Sequence, residues 1–325
     1  MRTLHRVLLT VGAGAMLAAM VAVVPATATS SPTGQGYTWT TITVPGSIAT
    51  EPYKVNDKGV VVGEYYANSS DLATGVSRGF VDQGGRYTTI DDPLGASSVA
   101  TGMNDAGEIV GTYTNSSGDN YGFIDQGGKF STIKDPSADN AEGLGTFVNG
   151  VNDSGEIVGY YADSNRTFTF IYKNGSYTTY TCPRAGTGPN SSENPQNLAG
   201  TGVGSVDNAG AISGTCFFKT KGYYNFIYQN GRFNPVPNYP GSSDSFIGWV
   251  NDSGESGGWY STTESIANGG VPNGYIYQNG RFTTIKDPAG PYGIYLDSAN
   301  DSGALAGFYT DSSGKIHGFE LTPSH

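Results

Sequence analysis

Six copies of Asn-Asp-x-Gly, or a close variant, recur along the chain: Asn56–Gly59, Asn104–Gly107, Asn152–Gly155, Asp207–Gly210, Asn251–Gly254 and Asn300–Gly303. Asp and Asn oxygens suit calcium, but an Asx side chain capping its own backbone beside a glycine is also ordinary tight-turn chemistry. A calcium loop wants three or more closely spaced carboxylates, and neither Asp163-Ser164-Asn165 nor Asp311-Ser312-Ser313-Gly314 supplies them. The turn reading is preferred, so no cofactor is expected and calcium stands as the alternative. For catalysis the chain offers His317 and His325 after its leader, with no serine elbow, metal-ligand cluster or phosphate loop. A carboxylate pair about 5–10 Å apart could still hydrolyse a glycoside.

The tetrads are spaced by 48, 48, 55, 44 and 49 residues, the length of a four-stranded unit. In the second copy the pattern predicts strands at Val99–Asn104, Glu108–Tyr113, Tyr121–Asp125 and Lys129–Ile133. The turns Lys173-Asn174-Gly175, Gln229-Asn230-Gly231 and Gln278-Asn279-Gly280 carry the Asn-Gly signal of tight hairpins. No stretch predicts a long amphipathic helix. The expected fold is all-β: a six-bladed β-propeller with four antiparallel strands, a to d, in each blade. The chain opens on a fourth-type strand (37–43) and ends on a third-type strand (318–321), so the N-terminal strand is expected to complete the last blade and close the ring.

These repeats, with copies such as Thr88-Thr89-Ile90-Asp91-Asp92-Pro93, Asn104-Asp105-Ala106-Gly107-Glu108-Ile109-Val110-Gly111 and His317-Gly318-Phe319, resemble the HAF family of bacterial extracellular repeats. The similarity covers nearly all of the chain after its leader. In place of the family's His-Ala-Phe triplet the chain carries Arg78-Gly79-Phe80, Tyr121-Gly122-Phe123 and His317-Gly318-Phe319. The resemblance implies secretion and a repeated β architecture, and supplies no catalytic residue.

In such a ring the a–b and c–d turns lie on one face, and the b–c and d–a loops on the other. The b–c loops (67–77, 261–272) and d–a loops (137–145, 184–200) are long and differ between copies, which makes their face the candidate binding face. Most rings are expected to fill the core between blades. Tyr66, Tyr160, Trp259 and Tyr292 are off-pattern or beside a variable loop, and Asp71, Asp139, Glu142, Asp163, Arg166, Arg184 and Glu193 join them there as candidate ligand-binding residues. The function expected is non-enzymatic recognition of an extracellular glycan or protein by a monomer. The alternative is a carboxylate-dependent glycoside hydrolase or lyase on the same face.

The two cysteines break the repeat together. Five copies carry Tyr65, Tyr113, Tyr161, Tyr260 or Tyr309 two residues after the strand-b glycine, and the fourth carries Cys216. Before the recurrent proline stand Asp92, Asp135 or Asp287, and Cys182 in the matching copy. The paired exchange predicts a Cys182–Cys216 disulfide replacing an Asp–Tyr hydrogen bond such as Asp92–Tyr113.

Residues 1–28 read as a secretory leader: Arg2 and Arg6, an apolar run from Val7 to Val24, then Ala26-Thr27-Ala28 as a cleavage site. A short linker (29–36), one domain (37–322) and a tail (323–325) follow. The net charge of −11 becomes −13 once the two leader arginines leave, which argues against nucleic acid as a partner. No later segment is apolar enough to span a membrane.

Overall fold

The computed structural model describes residues 36–139, 143–164, 166–183, 185, 200–218, 222–263, 272–286 and 293–324. The predicted leader and the candidates Glu142, Arg184, Glu193 and Tyr292 lie outside the described residues.

Strand β1 (Tyr37–Ile42) precedes the first complete unit, which is β2 (Ala49–Val55), β3 (Val60–Tyr66), the short helix α1 (Ser69–Thr74), β4 (Arg78–Gln83) and β5 (Arg86–Ile90). The second unit is β6 (Ser97–Met103), β7 (Ile109–Thr114), β8 (Asn120–Asp125) and β9 (Phe130–Ile133). The third is β10 (Gly145–Val151), β11 (Ile157–Ala162), β12 (Thr167–Lys173) and β13 (Ser176–Tyr180), and the fourth is β14 (Gly200–Val206), β15 (Ile212–Phe217), β16 (Tyr223–Gln229) and β17 (Arg232–Val236). The fifth is β18 (Asp244–Val250), β19 (Ser256–Ser261), β20 (Asn273–Gln278) and β21 (Arg281–Ile285). The chain then runs through β22 (Ile294–Ala299), β23 (Leu305–Thr310) and β24 (Ile316–Pro323).

Within each unit the strands pair antiparallel in sequence order. Single parallel contacts, Gly145 with Asn120 and Thr167 with Gly200, merge the second, third and fourth units into one 12-stranded sheet. β1 pairs antiparallel with β24, from Tyr37 opposite Pro323 to Ile42 opposite Gly318, so the first strand completes the last unit as expected. At the predicted Asn-Gly turns Asn174, Asn230 and Asn279 sit at φ 51°, the left-handed conformation that the tight hairpin requires.

One steric device recurs in every unit. A strand-b glycine (Gly63, Gly111, Gly159, Gly214, Gly258, Gly307) lies opposite a buried strand-c ring (Phe80, Phe123, Phe170, Phe226, Tyr275, Phe319). A Cβ on that glycine would strike the strand-a carbonyl, as at Gly111 against Val99 O. Strand a is bulged at the same level, with the register shifting between Pro52 and Lys54, Ala100 and Gly102, Val148 and Gly150, Val203 and Val206, Ile247 and Trp249, and Leu296 and Ser298. A bulge adds one unpaired residue and turns its side chain off the regular alternation.

The core is built between units rather than within them. Val62 and Ile90 of the first unit pack with Ala100, Met103 and Phe123 of the second, and Val158 and Tyr180 of the third pack with Val203 and Ile212 of the fourth. Ile42, Val44 and Ala306 pack with Val55, Val61 and Phe80, joining the last unit to the first. Cys182 and Cys216 form the expected disulfide, with Cα atoms 6.0 Å apart, so the segment after the third unit is bonded to strand b of the fourth. The Asp92–Tyr113 hydrogen bond is not the one that forms. Asp92 Oδ1 accepts from the Leu94 N–H, and the Tyr113 hydroxyl lies 3.3 Å from Thr132 Oγ1.

Candidate functional site

The six tetrads do more than turn. As predicted, the Asn side chain caps its own turn: Asn56 Oδ1 accepts from Lys58 and Val60 N–H, and Asn152 Oδ1 from Ser154 and Glu156 N–H. Its amide then reaches the next unit. Asn56 Nδ2 donates to Asn104 O, Asn104 to Asn152 O, Asn152 to Asp207 O, Asn251 to Asn300 O, and Asn300 to Asn56 O. Asp207 has no amide to donate onward.

The following residue makes a second circuit with six links. Asp57 N–H donates to Asp105 Oδ1, Asp105 to Asp153, Asp153 to Asn208, Asn208 to Asp252, Asp252 to Asp301, and Asp301 to Asp57, at 2.6–3.1 Å. The identical bond between the last copy and the first makes the circuit closed. Sequence reading missed both circuits, because a repeat reveals its period and not which neighbour each side chain meets.

Five carboxylates on one circuit repel. Burial, then the charges of Asp57 and Asp252, push the Asp301 pKa up to about 6, against the hydrogen bond from Asp252 N–H. An acid raised in the folded state loses stability as pH rises from about 4 through about 6, because the folded form must then give up a proton it holds more tightly. The fourth copy avoids this with Asn208, which keeps the acceptor and adds a 3.0 Å bond from its Nδ2 to Asp153 Oδ2. Asp301→Asn is therefore expected to raise the melting temperature at pH 7 and to flatten its fall between pH 4 and 7. A melt of the variant that is lower than the parent's at pH 7 would show the charge to be needed.

The tetrad end is thus occupied by its own hydrogen bonds, and the opposite end carries the b–c and d–a loops. There Asp139, Asp163 and Arg166 come together from two loops. Ser164 N–H donates to Asp139 Oδ2 at 2.8 Å, Asp139 N–H to Ala162 O, and Arg166 N–H to Asp163 Oδ1 at 2.8 Å. The Arg166 guanidinium lies over the Phe168 ring at 4.2 Å, and Phe168 stacks on Tyr161 at 4.8 Å. Asp71 stands apart in α1, where its carboxylate accepts from Asn68 Nδ2.

The aromatic candidates require correction. Tyr66, Tyr160 and Trp259 are 2 %, 0 % and 3 % exposed, and Tyr160 and Trp259 are packed against Phe147 and Phe246. Interior rings cannot present a face to a ligand in solution. The half-buried rings of the loop end sit one strand over, at the first positions of strand c. Tyr121 packs at a tilt against Tyr113 beneath Lys134 Nζ, Phe168 lies between Tyr161 and Arg166, and His317 stacks on Tyr309 while pairing with Asp311 at 2.8 Å. Their cross-strand positions in the repeat were the available signal.

A carboxylate pair also escaped the sequence reading. Glu51 and Glu64 face each other across β2 and β3, and the Tyr53 hydroxyl lies 2.9 and 2.6 Å from one oxygen of each. The matching positions hold Phe147 with Tyr160, Phe246 with Trp259 and Tyr295 with Phe308 in three units, and Val99 with Thr112 and Gly202 with Thr215 in the other two. The double departure was legible on the logic that found the cysteines. Both glutamates are buried, at 0 % and 2 % exposure, which withholds them from a polymer substrate.

No protein-family profile matches the chain, and no curated protein matches it in sequence. Solved structures do. A lectin of Aleuria aurantia, in complex with Fucalpha1-6GlcNAc, superposes with a TM-score of 0.53 at 12% identity, covering 86% of this chain and 97% of its own. Another structure of the Aleuria aurantia lectin, described as a six-bladed β-propeller with a novel fucose recognition mode, gives 0.51 at 12% identity over 85% and 96%. AofleA from Arthrobotrys oligospora gives 0.50 at 12% identity over 89% and 87%. The fold is all-β and propeller-like. At these identities the likeness speaks for the fold alone.

Proposed function

We propose that this chain is a secreted, HAF-like β-propeller of six blades, closed by β1, that binds an extracellular glycan at its loop end without cleaving it. The observation that carries this reading is the division of labour between the two ends. The tetrad end spends its Asx groups on the two inter-unit circuits, whereas the loop end gathers Asp139, Asp163, Arg166 and the half-buried Phe168 and Tyr121 rings. Carboxylates and a guanidinium held at the edges of half-buried rings suit a sugar's hydroxyls. Closure is supported by the β1–β24 pairing and by the Asp301–Asp57 bond. Fucose-containing glycans lead the panel, because they are what the similar lectins bind.

The test is depletion of the protein from solution by fucosylated glycans, insoluble polysaccharides and cell-wall preparations, with released sugar assayed in the supernatant. Binding without release is expected, and Phe168→Ala and Arg166→Ala should each weaken it about tenfold. Release of sugar would favour a hydrolase, and absence of binding to every glycan would favour a protein partner.

A further inference from the structure

We propose that the junction between the last unit and the first is a proton-operated join, tight in mildly acidic solution and loosened as the pH rises. It is independent of what the loop end binds, and it rests on three positions where this junction departs from the others. The residue after the buried strand-c ring is Val81, Ile124, Ile171, Ile227 or Ile276 in the first five units and Glu320 in the last. Val81, Ile124, Ile171 and Ile276 each pack into the core shared with the following unit. Glu320 therefore puts an acid where the other junctions put an aliphatic side chain.

Glu51 and Glu64 are the other two. Phe246 and Tyr295, at the position of Glu51, pack against Tyr223 and Trp259 of the preceding units, which puts Glu51 on the side of the last unit. A phenol has one proton to give. The Tyr53 hydroxyl lies 2.9 Å from Glu51 Oε2 and 2.6 Å from Glu64 Oε1, so both contacts are hydrogen bonds only when one carboxyl keeps a proton and donates it to the phenol oxygen. The Tyr66 hydroxyl donates to the same Glu64 oxygen at 3.3 Å. Loss of the shared proton sets two charges side by side across β2 and β3, where neither residue is more than 2 % exposed.

Across the junction Glu320 faces Asp82 of β4. Burial, then the charge of Asp82, raises the Glu320 pKa, and burial raises that of Asp82 against its hydrogen bonds from Gly85 N–H and Tyr87. Both acids hold a proton more tightly in the fold than in the unfolded chain. The stability they confer is full below about pH 4 and is lost as the pH rises through the raised values. Of the cations on the strands that meet here, Arg78 pairs with Asp91, His317 pairs with Asp311, and Lys54 is drawn to Asp57 and Asp301. Arg86 is exposed at the start of β5, Asp297 on β22 adds a further carboxyl, and the remaining titratable groups of those strands are tyrosines.

Hydrogen exchange of the full chain, corrected for intrinsic rates, tests the join strand by strand. Between pH 5 and pH 8 the protection of β2 and β24 should fall at least about tenfold more than that of β10 and β11 in the third unit. The difference should persist in Asp301→Asn, which removes the tetrad end's own response. It should shrink in Glu320→Ile and vanish when Glu51→Gln and Glu64→Gln are added. Glu320→Gln keeps the side chain's shape and carries the test if Glu320→Ile fails to fold. Equal loss of protection in both places would assign the response to repulsion over the whole acidic chain and overturn the proposal. A combined variant that keeps the parent's difference would overturn it as well.

Discussion

Deletion of residues 37–42 is expected to leave a protein that does not fold cooperatively. Those six residues supply the outer strand of the last unit. They also supply Trp39, stacked on Phe319 at 4.6 Å and edge-on to Tyr309 at 5.6 Å, and Ile42, which is 2 % exposed where the last unit meets the first. Losing large buried side chains costs about 2–5 kcal/mol each, against a total stability of about 5–15 kcal/mol. The deletion also bares β24 as an eight-residue edge open to intermolecular pairing. Size-exclusion chromatography and thermal circular dichroism should show aggregation and no sharp transition. Trp39→Ala grades the effect, with a loss of about 3 kcal/mol. A truncated protein that stays monomeric and melts like the parent would refute β1 as the closing strand.

Breaking the disulfide should cost less but remain large. Cys182 and Cys216 are 34 residues apart, and closing a loop of that length removes about 4 kcal/mol of unfolded-state entropy. For a chain of this size that predicts a fall in melting temperature of roughly 6–12 °C on reduction, or in Cys182→Ser with Cys216→Ser. Replacing the pair by Asp and Tyr, the residues of other copies, should recover little, because Asp92 and Tyr113 spend their hydrogen bonds on Leu94 and Thr132 instead of on each other. Tyr239 stacked on Tyr260 at 3.6 Å is the better replacement for the same junction. Identical melts with and without reductant, once intact mass shows the oxidised state, would sink the argument.

What the chain made legible was whatever repeats. Asn-Gly turns, the strand-b glycines and the phase of the two ends give the unit, its strand order and the pairing of the first strand with the last, because each is set by local backbone geometry or by period. The paired cysteine exchange located a contact for the same reason. Burial of Trp259, Tyr160 and Tyr66 was not legible, since a large ring serves a core and a sugar site equally well and only the neighbouring unit decides. Nor were the bulges, because one extra residue in a strand shows only against its partner's register. The Glu51–Glu64 pair lay within reach of the cysteine logic, since no other unit places an acid at either position.

The β1–β24 pair has a mechanical consequence. Tyr37 sits opposite Pro323, and Ser324 N–H donates to Gly36 O at 2.7 Å, so both ends of the domain leave from one corner of one sheet. A load applied between tethers at those ends would peel the two strands apart one rung at a time, rather than shear all the rungs together. The join is firm against heat and weak against a pull, and the domain should yield at low force by releasing β1 first.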